Sequence, residues 1–290
     1  MNMEWISTLI NGLLLGGLYA LFGLGLALVF GVMRVVNLAH GEFIVLGAYA
    51  GFFLIGWFSQ VPVWAMLVPV VVIGYLFGWL LQACVLNRAV RMGNVLTPMV
   101  LTFGLSVLLR NGMVELLGAD SRAVDAGGLG SASMDLLGIS VGLYPVLMLG
   151  LALAMFATLQ WVLQRTEFGR IVRATADFPD MVRLMGVKPE RVFCQVMGLA
   201  AAFAMGAGYL LAQRTLFTPF SGVERMLIAF EVVIIGGLGS FWGAMAGGLV
   251  LGVAQLFGQR IDSNAGSLYA HLLFLATLVF KPNGLAGGRK

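Results

Sequence analysis

Long, uninterrupted apolar stretches are the feature that most limits the folds open to this sequence. The longest, Ile6–Met33, contains no charged residue. A helix needs roughly 20 apolar residues to cross the hydrocarbon core of a bilayer, so this stretch can span it. Only 10% of the chain is charged, against about 25% in an average soluble protein. The apolar runs are continuous rather than alternating, which favours helices over a membrane β-barrel. The sequence therefore predicts an all-α, polytopic integral membrane protein.

About nine hydrophobic segments can be distinguished, with eight to ten allowed, and some are expected to be broken or re-entrant. They are Ile6–Met33, Phe43–Phe58, Val63–Leu86, Leu96–Leu117, Val141–Leu163, Val192–Gln213, Met226–Leu238, Phe241–Phe257 and Ser267–Phe280. No domain boundary and no clear internal repeat interrupts them. Residues 1–290 are thus expected to form a single transmembrane domain. The N-terminus lacks a basic n-region, so its first segment is interpreted as a retained helix rather than a signal peptide.

One long charged segment, Arg165–Arg191, separates two of the apolar stretches. It holds six basic residues: Arg165, Arg170, Arg173, Arg183, Lys188 and Arg191. Such a segment cannot lie in lipid, so it must face water or a partner protein. With the N-terminus outside and nine crossings, most of the 17 Lys and Arg residues fall inside. The positive-inside rule then predicts that this segment and the C-terminus are cytoplasmic. The same rule accounts for the net charge of +4 without a nucleic-acid partner.

Small residues recur every four positions in several apolar segments. Gly239, Gly243 and Gly247 give one such series. Others are Ala200/Ala204/Gly208/Ala212, Gly12/Gly16, Gly47/Gly51 and Gly74/Gly78. Small residues let helix backbones approach closely in lipid. The spacing therefore predicts helix-packing faces and indicates no particular function.

Polar residues break the hydrophobicity after the first segment, at Asn37, His40, Gly41 and Glu42. Ionisable groups at membrane depth are costly, which makes them candidates for function. One interpretation is a broken helix that lines a translocation pathway. The alternative is a hydrated turn at the membrane surface.

Glu231 is another carboxylate within the hydrophobic segments, five residues into Met226–Leu238. It could contact the transported solute, or it could form a structural ion pair with Arg225 or Arg110. A metal site is not expected, because the chain has only two histidines and His271 is far from His40 in sequence.

No motif for catalysis or nucleotide binding is found. The sequence lacks a nucleophile elbow, an HExxH motif and a phosphate-binding loop, and none of its three lysines follows a glycine. We therefore expect a non-enzymatic chain that binds no cofactor. Any ATP-driven process would depend on partner subunits. Cys84 and Cys194 lie near basic loops on the reducing side, so no disulfide is expected.

Several motifs together resemble the LivH/LivM-type permease subunits of branched-chain amino acid ABC importers, with the LivH type the nearer of the two. The motifs are Asn37-Leu38-Ala39-His40-Gly41-Glu42 with Gly47-Ala48-Tyr49, Arg165-Thr166-Glu167-Phe168-Gly169-Arg170, Gly236-Gly237-Leu238-Gly239-Ser240, and Lys281-Pro282-Asn283-Gly284-Leu285. They occur in the expected order along the whole chain. The resemblance implies a bacterial inner-membrane permease that translocates branched-chain amino acids or a related small polar solute.

The resemblance also implies partners: a second, LivM-like permease, two cytoplasmic ATP-binding subunits that use ATP and Mg, a periplasmic solute-binding protein and the membrane lipid. In such importers a cytoplasmic helix docks on the ATPase through an EAA-x-x-x-G-like motif. Asp180–Gly186 stands in that register, with Asp180 replacing the glutamate and Met181 and Val182 the two alanines. The implied coupling residues are Arg173, Asp177, Asp180, Met181, Arg183, Leu184, Met185 and Gly186. Met181, Leu184 and Met185 would present an apolar ridge to a groove in the ATPase.

Alternatives to these interpretations stay open at the level of sequence. The charged segment could be a solvated loop. Glu42 and Glu231 could serve as proton or sodium sites of an ion-coupled secondary transporter. An intramembrane enzyme is disfavoured because no catalytic pair is evident. The loop Gly118–Ser140 could dock the binding protein or simply be exposed filler.

Overall fold

A computed structural model describes residues 2–58, 60–92, 94, 96–125, 127, 130, 132–136 and 139–286. Its elements are α1 (Asn2–Met33), α2 (His40–Trp57), α3 (Val63–Val90), α4 (Leu96–Leu117), β1 (Ser133–Leu136), β2 (Ile139–Gly142), α5 (Leu143–Arg165), α6 (Glu167–Asp177), α7 (Pro179–Leu184), α8 (Pro189–Ala212), α9 (Ser221–Gly236), α10 (Phe241–Ile261) and α11 (Gly266–Phe280). The two strands form one antiparallel hairpin. The predicted all-α membrane architecture is confirmed.

The predicted segments correspond to nine of these helices in the described part of the chain. Seven are long and apolar enough to cross a membrane. The other two, α9 and α11, have 16 and 15 residues. In contrast, α1 has 32 residues and a length of about 48 Å at 1.5 Å per residue. It therefore extends beyond a hydrocarbon core of about 30 Å.

The two ends of the helix bundle differ in charge. The charged end carries residues 165–191, which include α6 and α7. Gly31 and Val32 of α1 share a pocket there with Arg173 and Asp177, so α1 ends at the charged end. At the opposite end Glu4 forms an ion pair with Arg260, near the end of α10.

The last described residues return to the charged end. Leu285 and Ala286 donate backbone hydrogen bonds to the carbonyls of Ile235 and Gly236, at the end of α9. The described residues thus begin at one end of the bundle and end at the other, which agrees with an odd number of crossings. Residues 287–290, which contribute to the predicted basic C-terminus, lie outside the described residues.

Two sets of four helices share one pattern of neighbours. One set is α1, α2, α3 and α4, and the other is α8, α9, α10 and α11. The first helix of each set packs against the third helix of the other set: α1 against α10, and α8 against α3. The second helices, α2 and α9, are shorter than the helices that precede them. Because α1 runs toward the charged end and α8 runs away from it, the order and pairing are those of an inverted-topology repeat.

Close backbone contact explains the regular spacing of small residues. A Cβ at Gly16 would overlap the backbone of α10 at Gly248, and a Cβ at Gly208 would overlap the carbonyl of Ile44 on α2. Gly243 and Gly247 likewise pack against the backbone of α9. The prediction for Gly239 needs correction. This residue precedes α10 in a turn with φ of 83°, so it does not lie on the helical face that its spacing suggested.

Candidate translocation and coupling sites

The break after α1 is a folded feature with its own hydrogen bonds. Arg34 ends α1 with a positive φ of 53°. The side-chain oxygen of Asn37 then accepts a hydrogen bond from the backbone N–H of Ala39 at 3.0 Å, the Asx-turn contact typical of asparagine. The backbone N–H of Leu38 donates to Thr102 Oγ1 on α4 at 3.1 Å. These contacts turn the chain back into the bundle.

This turn places the first residue of α2 beside the middle of α1. His40 Nε2 lies 2.9 Å from the carbonyl oxygen of Phe22, eleven residues before the end of α1. Asn37 and His40 are fully buried and Glu42 is 1% exposed. A hydrated surface turn is therefore excluded for these side chains. They occupy the interior of the bundle, where polar groups need partners.

Arg110 on α4 supplies the partner of Glu42. The Arg110 Nη2 and Nε atoms lie 2.6 Å and 3.1 Å from Glu42 Oε1. The other carboxylate oxygen, Oε2, is buried without a hydrogen-bond partner among the described residues. It lies against Gly222, the second residue of α9. A carboxylate at a helix N-terminus is stabilised by the helix dipole.

The N-termini of α2 and α9 meet at this point. A Cβ at Gly41 would overlap the carbonyl oxygen of Gly222, so two glycines permit the approach. Discontinuous helices whose N-termini converge within the bilayer are typical of binding sites in transporters. The residues predicted for the pathway from the first break thus share one buried region of the described chain.

Glu231 lies in a separate region, between α9 and α11. Its Oε1 atom is 2.5 Å from Nδ1 of His271. The predicted partners, Arg225 and Arg110, are wrong: Arg225 pairs with Glu224 at 3.3 Å and Arg110 with Glu42. No local pattern predicts His271 as the partner of Glu231, because the two residues are 40 positions apart and meet only when α11 folds back on α9.

The charged segment forms two helices rather than one. Thr166 caps α6 by accepting a hydrogen bond from the backbone N–H of Gly169 at 3.1 Å. Pro179 occupies the first turn of α7, where its missing N–H costs nothing. Arg173 and Asp177 belong to α6 and line a pocket of about 340 Å³ against α1 and α10. They do not lie on the same helix as the predicted apolar ridge.

An exposed apolar patch covers α7 and its flanks. Its members are Phe178, Met181, Leu184 and Met185, with 63–85% of each residue exposed. Phe178 was missed from sequence because it precedes the short helix. Gly186 follows with φ of 84°, in the left-handed region that favours glycine.

Ion pairs attach α7 to the start of α8. Arg183 Nη2 lies 3.0 Å from Glu190 Oε1, and Arg183 Nη1 lies 3.5 Å from Asp180 Oδ1. Glu190 also pairs with Arg91, after α3, at 3.3 Å. These contacts fix the orientation of the patch relative to the membrane helices.

The two cysteines lie in different surroundings. Cys84 is exposed and Cys194 is buried, and both are free thiols. Within the described ranges no group of three or more His, Cys, Asp or Glu side chains could hold a metal ion.

Comparisons with known proteins agree with this architecture. Residues 8–281 match the model of the family described as "Branched-chain amino acid transport system / permease component". The chain is 29% identical to the high-affinity branched-chain amino acid transport system permease protein BraD of Pseudomonas aeruginosa, over 98% of this chain and 96% of the relative. It is also 29% identical, with the same coverage, to LivH of Escherichia coli strain K12.

A more distant relative is LivM of Salmonella typhimurium, which is 26% identical over 92% of this chain and 67% of its own length. No solved structure matches the chain. The family match extends over nearly all of the sequence and includes every helix described above apart from the first six residues of α1. The chain therefore belongs to the family of permease components of branched-chain amino acid transport systems.

Proposed function

We propose that this chain is the permease subunit of an ATP-driven importer in the bacterial inner membrane. It translocates branched-chain amino acids or a related small polar solute and performs no catalysis itself. Its partners are a LivM-like permease, two cytoplasmic ATP-binding subunits that use ATP and Mg, and a periplasmic solute-binding protein. The charged end of the bundle faces the cytoplasm.

The exposed apolar patch at the charged end is the observation that carries this proposal. Four large apolar side chains there are uncovered by the described residues. The charged residues around them keep the segment out of the hydrocarbon core. Contiguous exposed apolar surface on a soluble face marks a protein interaction site. A cytoplasmic ATPase with an apolar groove would bury it.

The pairing of α7 with α8 explains how force could pass from such a partner. Arg183 and Glu190 join the patch to the first turn of α8. From there α8 runs through the centre of the bundle and contacts α1, α2 and α3. A displacement of α7 is therefore transmitted to the helices that surround His40 and Glu42.

The test is to reconstitute the chain with its partner subunits and measure ATPase attachment and uptake. Met185→Asp places a charge in the patch, and we expect loss of both ATPase co-purification and uptake. Leu216→Asp is the matched control, because Leu216 is 65% exposed and lies between α8 and α9 at the opposite end. It should leave ATPase attachment intact. Normal attachment by the Met185→Asp chain would refute the proposal.

An ion-coupled secondary transporter is the second candidate. Glu42 and Glu231 each have one buried carboxylate oxygen without a partner among the described residues, a property suited to proton or sodium binding. Uptake that needs no ATPase subunit and stops when the ion gradient is dissipated would favour this candidate over the first.

A further inference from the structure

A polar cavity of about 220 Å³ lies between α9, α10 and α11. Its polar lining consists of Glu224, Glu231, Gln255, Ser267 and His271. Ser267 and His271 belong to the first two turns of α11, and Gln255 to the last two turns of α10. The cavity is therefore in the half of the bundle away from the charged end.

Glu231 is buried in the wall of this cavity with unused capacity to accept hydrogen bonds. The residue is 1% exposed. Its Oε1 atom is occupied by His271, while Oε2 is buried and has no partner among the described residues. Leaving such an oxygen unpaired is costly, and more so for a charged group than for a neutral one. A bound group that donates hydrogen bonds would remove that cost.

The unpaired acceptor in the lining defines the charge of that group. Neither Lys nor Arg is among the lining residues. Of the two carboxylates that line the cavity, Glu224 is paired with Arg225 at 3.3 Å, so the unpaired carboxylate oxygen among the described lining residues is Glu231 Oε2. A buried carboxylate oxygen favours a cation with N–H donors. An ammonium group has three such donors and no acceptor.

The remaining lining residues define what is attached to the ammonium group. Leu227, Ile228, Leu251 and Ala270 form an apolar wall. An alkali cation gains nothing from such a wall, whereas a short aliphatic chain is stabilised by each CH₂ group that it buries. The site therefore combines a buried anionic acceptor with an aliphatic surface.

We propose that this cavity is an intramembrane site for a primary ammonium group carried on a short aliphatic chain, with Glu231 as its acceptor. In the importer this would be the ammonium group of the transported amino acid, and that assignment rests on the proposed function. The polar lining would be exposed to lipid if α9 and α11 faced the bilayer directly. We infer that the mouth of the cavity faces the aqueous pathway of the assembled transporter.

Thiol labelling in the assembled transporter tests the site without relying on transport. In a chain with Cys84 and Cys194 replaced by serine, Ser267→Cys places a thiol in the cavity lining. An ammonium-bearing methanethiosulfonate should label it faster than the sulfonate analogue of similar length. We expect the preference to fall by about tenfold or more in Glu231→Gln, the loss expected for one charged hydrogen bond. Ser263→Cys, in the exposed turn after α10, measures the intrinsic preference of the two reagents.

Protection by small molecules identifies the chemical class. Isopentylamine has the ammonium group and an aliphatic chain, and isocaproate has a carboxylate in its place. The amine should slow labelling of the Ser267→Cys thiol and isocaproate should not. Equal protection by both, or by sodium chloride at the same concentration, would overturn the proposal. So would an unchanged reagent preference in Glu231→Gln.

Transport assays then separate failure of this site from failure of the proposed function. If the unmodified complex imports leucine and Glu231→Gln imports it at the same rate and KM, the site is wrong and the importer stands. If amine protection is seen but the unmodified complex imports no amino acid, the site stands and the importer is wrong. Glu4→Gln controls for loss of a carboxylate, since Glu4 is exposed and is not among the residues that line the cavity. A chain in which Glu231→Gln lowers only thermal stability would assign Glu231 a structural role and contradict the proposal.

Discussion

Glu42 and Arg110 form an ion pair between the start of α2 and the middle of α4, with 2.6 Å between Oε1 and Nη2. Glu231 and His271 join α9 and α11 in the same way. Since α2 and α4 correspond to α9 and α11 in the inverted arrangement, each half of the bundle attaches its last helix through a buried carboxylate. Outside its pair α4 makes few contacts with the other described residues, whereas α11 also packs along α10. The Glu42–Arg110 pair is therefore important for the position of α4.

Removing Arg110 should destabilise the chain more than removing both members of its pair. Arg110→Met leaves the Glu42 charge buried and unpaired. Because a quarter of the Arg110 side chain is exposed, we expect a loss of about 2–3 kcal/mol, below the range for a fully buried pair. The double variant Glu42→Gln/Arg110→Met should recover part of that loss. Denaturation of the purified chain in detergent measures the difference as a double-mutant cycle; additive losses would contradict a direct pair.

The sequence predicted helices best where hydrophobicity alone decides their ends. Leu96–Leu117 was predicted with the observed bounds, and Phe280 was predicted as the end of the last helix. Prediction of the helix starts failed where a charged residue lies in the first turn, as Glu42 and Glu224 do. We predicted that helices begin at Phe43 and Met226, but α2 and α9 begin at His40 and Ser221. Partners on other helices, which no local pattern reveals, neutralise Glu42 in the first of them.

The inverted repeat and the Glu231 cavity were also beyond prediction. The two halves share a pattern of helix neighbours rather than a pattern of residues, so the sequence contains no clear repeat. His271 meets Glu231 only in the fold, because 40 residues separate them in sequence. The apolar patch was different. Met181, Leu184 and Met185 were recognised because their helical spacing is local, and their exposure agrees with that interpretation.

Two glycine-to-alanine substitutions should have effects of opposite sign. At Gly208 the new Cβ would overlap the carbonyl of Ile44, so α2 and α8 must separate. We expect a loss of about 1–3 kcal/mol, as for other overpacked cores. At Gly104 on α4 the Cβ meets nothing within 4 Å, and alanine should stabilise the helix by up to about 1 kcal/mol. Unfolding of both chains in detergent checks the signs, and equal effects would show that helix propensity rather than packing dominates.

Substitution of Gly186 should disturb coupling through its backbone. With φ of 84° and open space around its Cα, alanine would be strained by about 1–2 kcal/mol without any clash. Asparagine tolerates this conformation better. We therefore expect ATPase attachment to weaken in Gly186→Ala and to be largely kept in Gly186→Asn. Gly150→Ala, on α5 and also in open space, should have no effect. If Gly186→Asn and Gly186→Ala behave alike, the positive φ is not the cause.

The ion pairs of Arg183 should hold α7 against α8 in a salt-dependent way. Both pairs are partly exposed, so Arg183→Gln should lower the free energy of local opening by less than about 1 kcal/mol. Amide hydrogen exchange of α7 would then accelerate by up to about fivefold, and high salt should produce a similar acceleration in the unmodified chain. Arg170→Gln is the matched control, because Arg170 pairs only with Glu167 of its own helix α6 among the described residues. Its effect should be confined to α6. Exchange of α7 that is unchanged by Arg183→Gln would mean that backbone geometry alone positions the apolar patch.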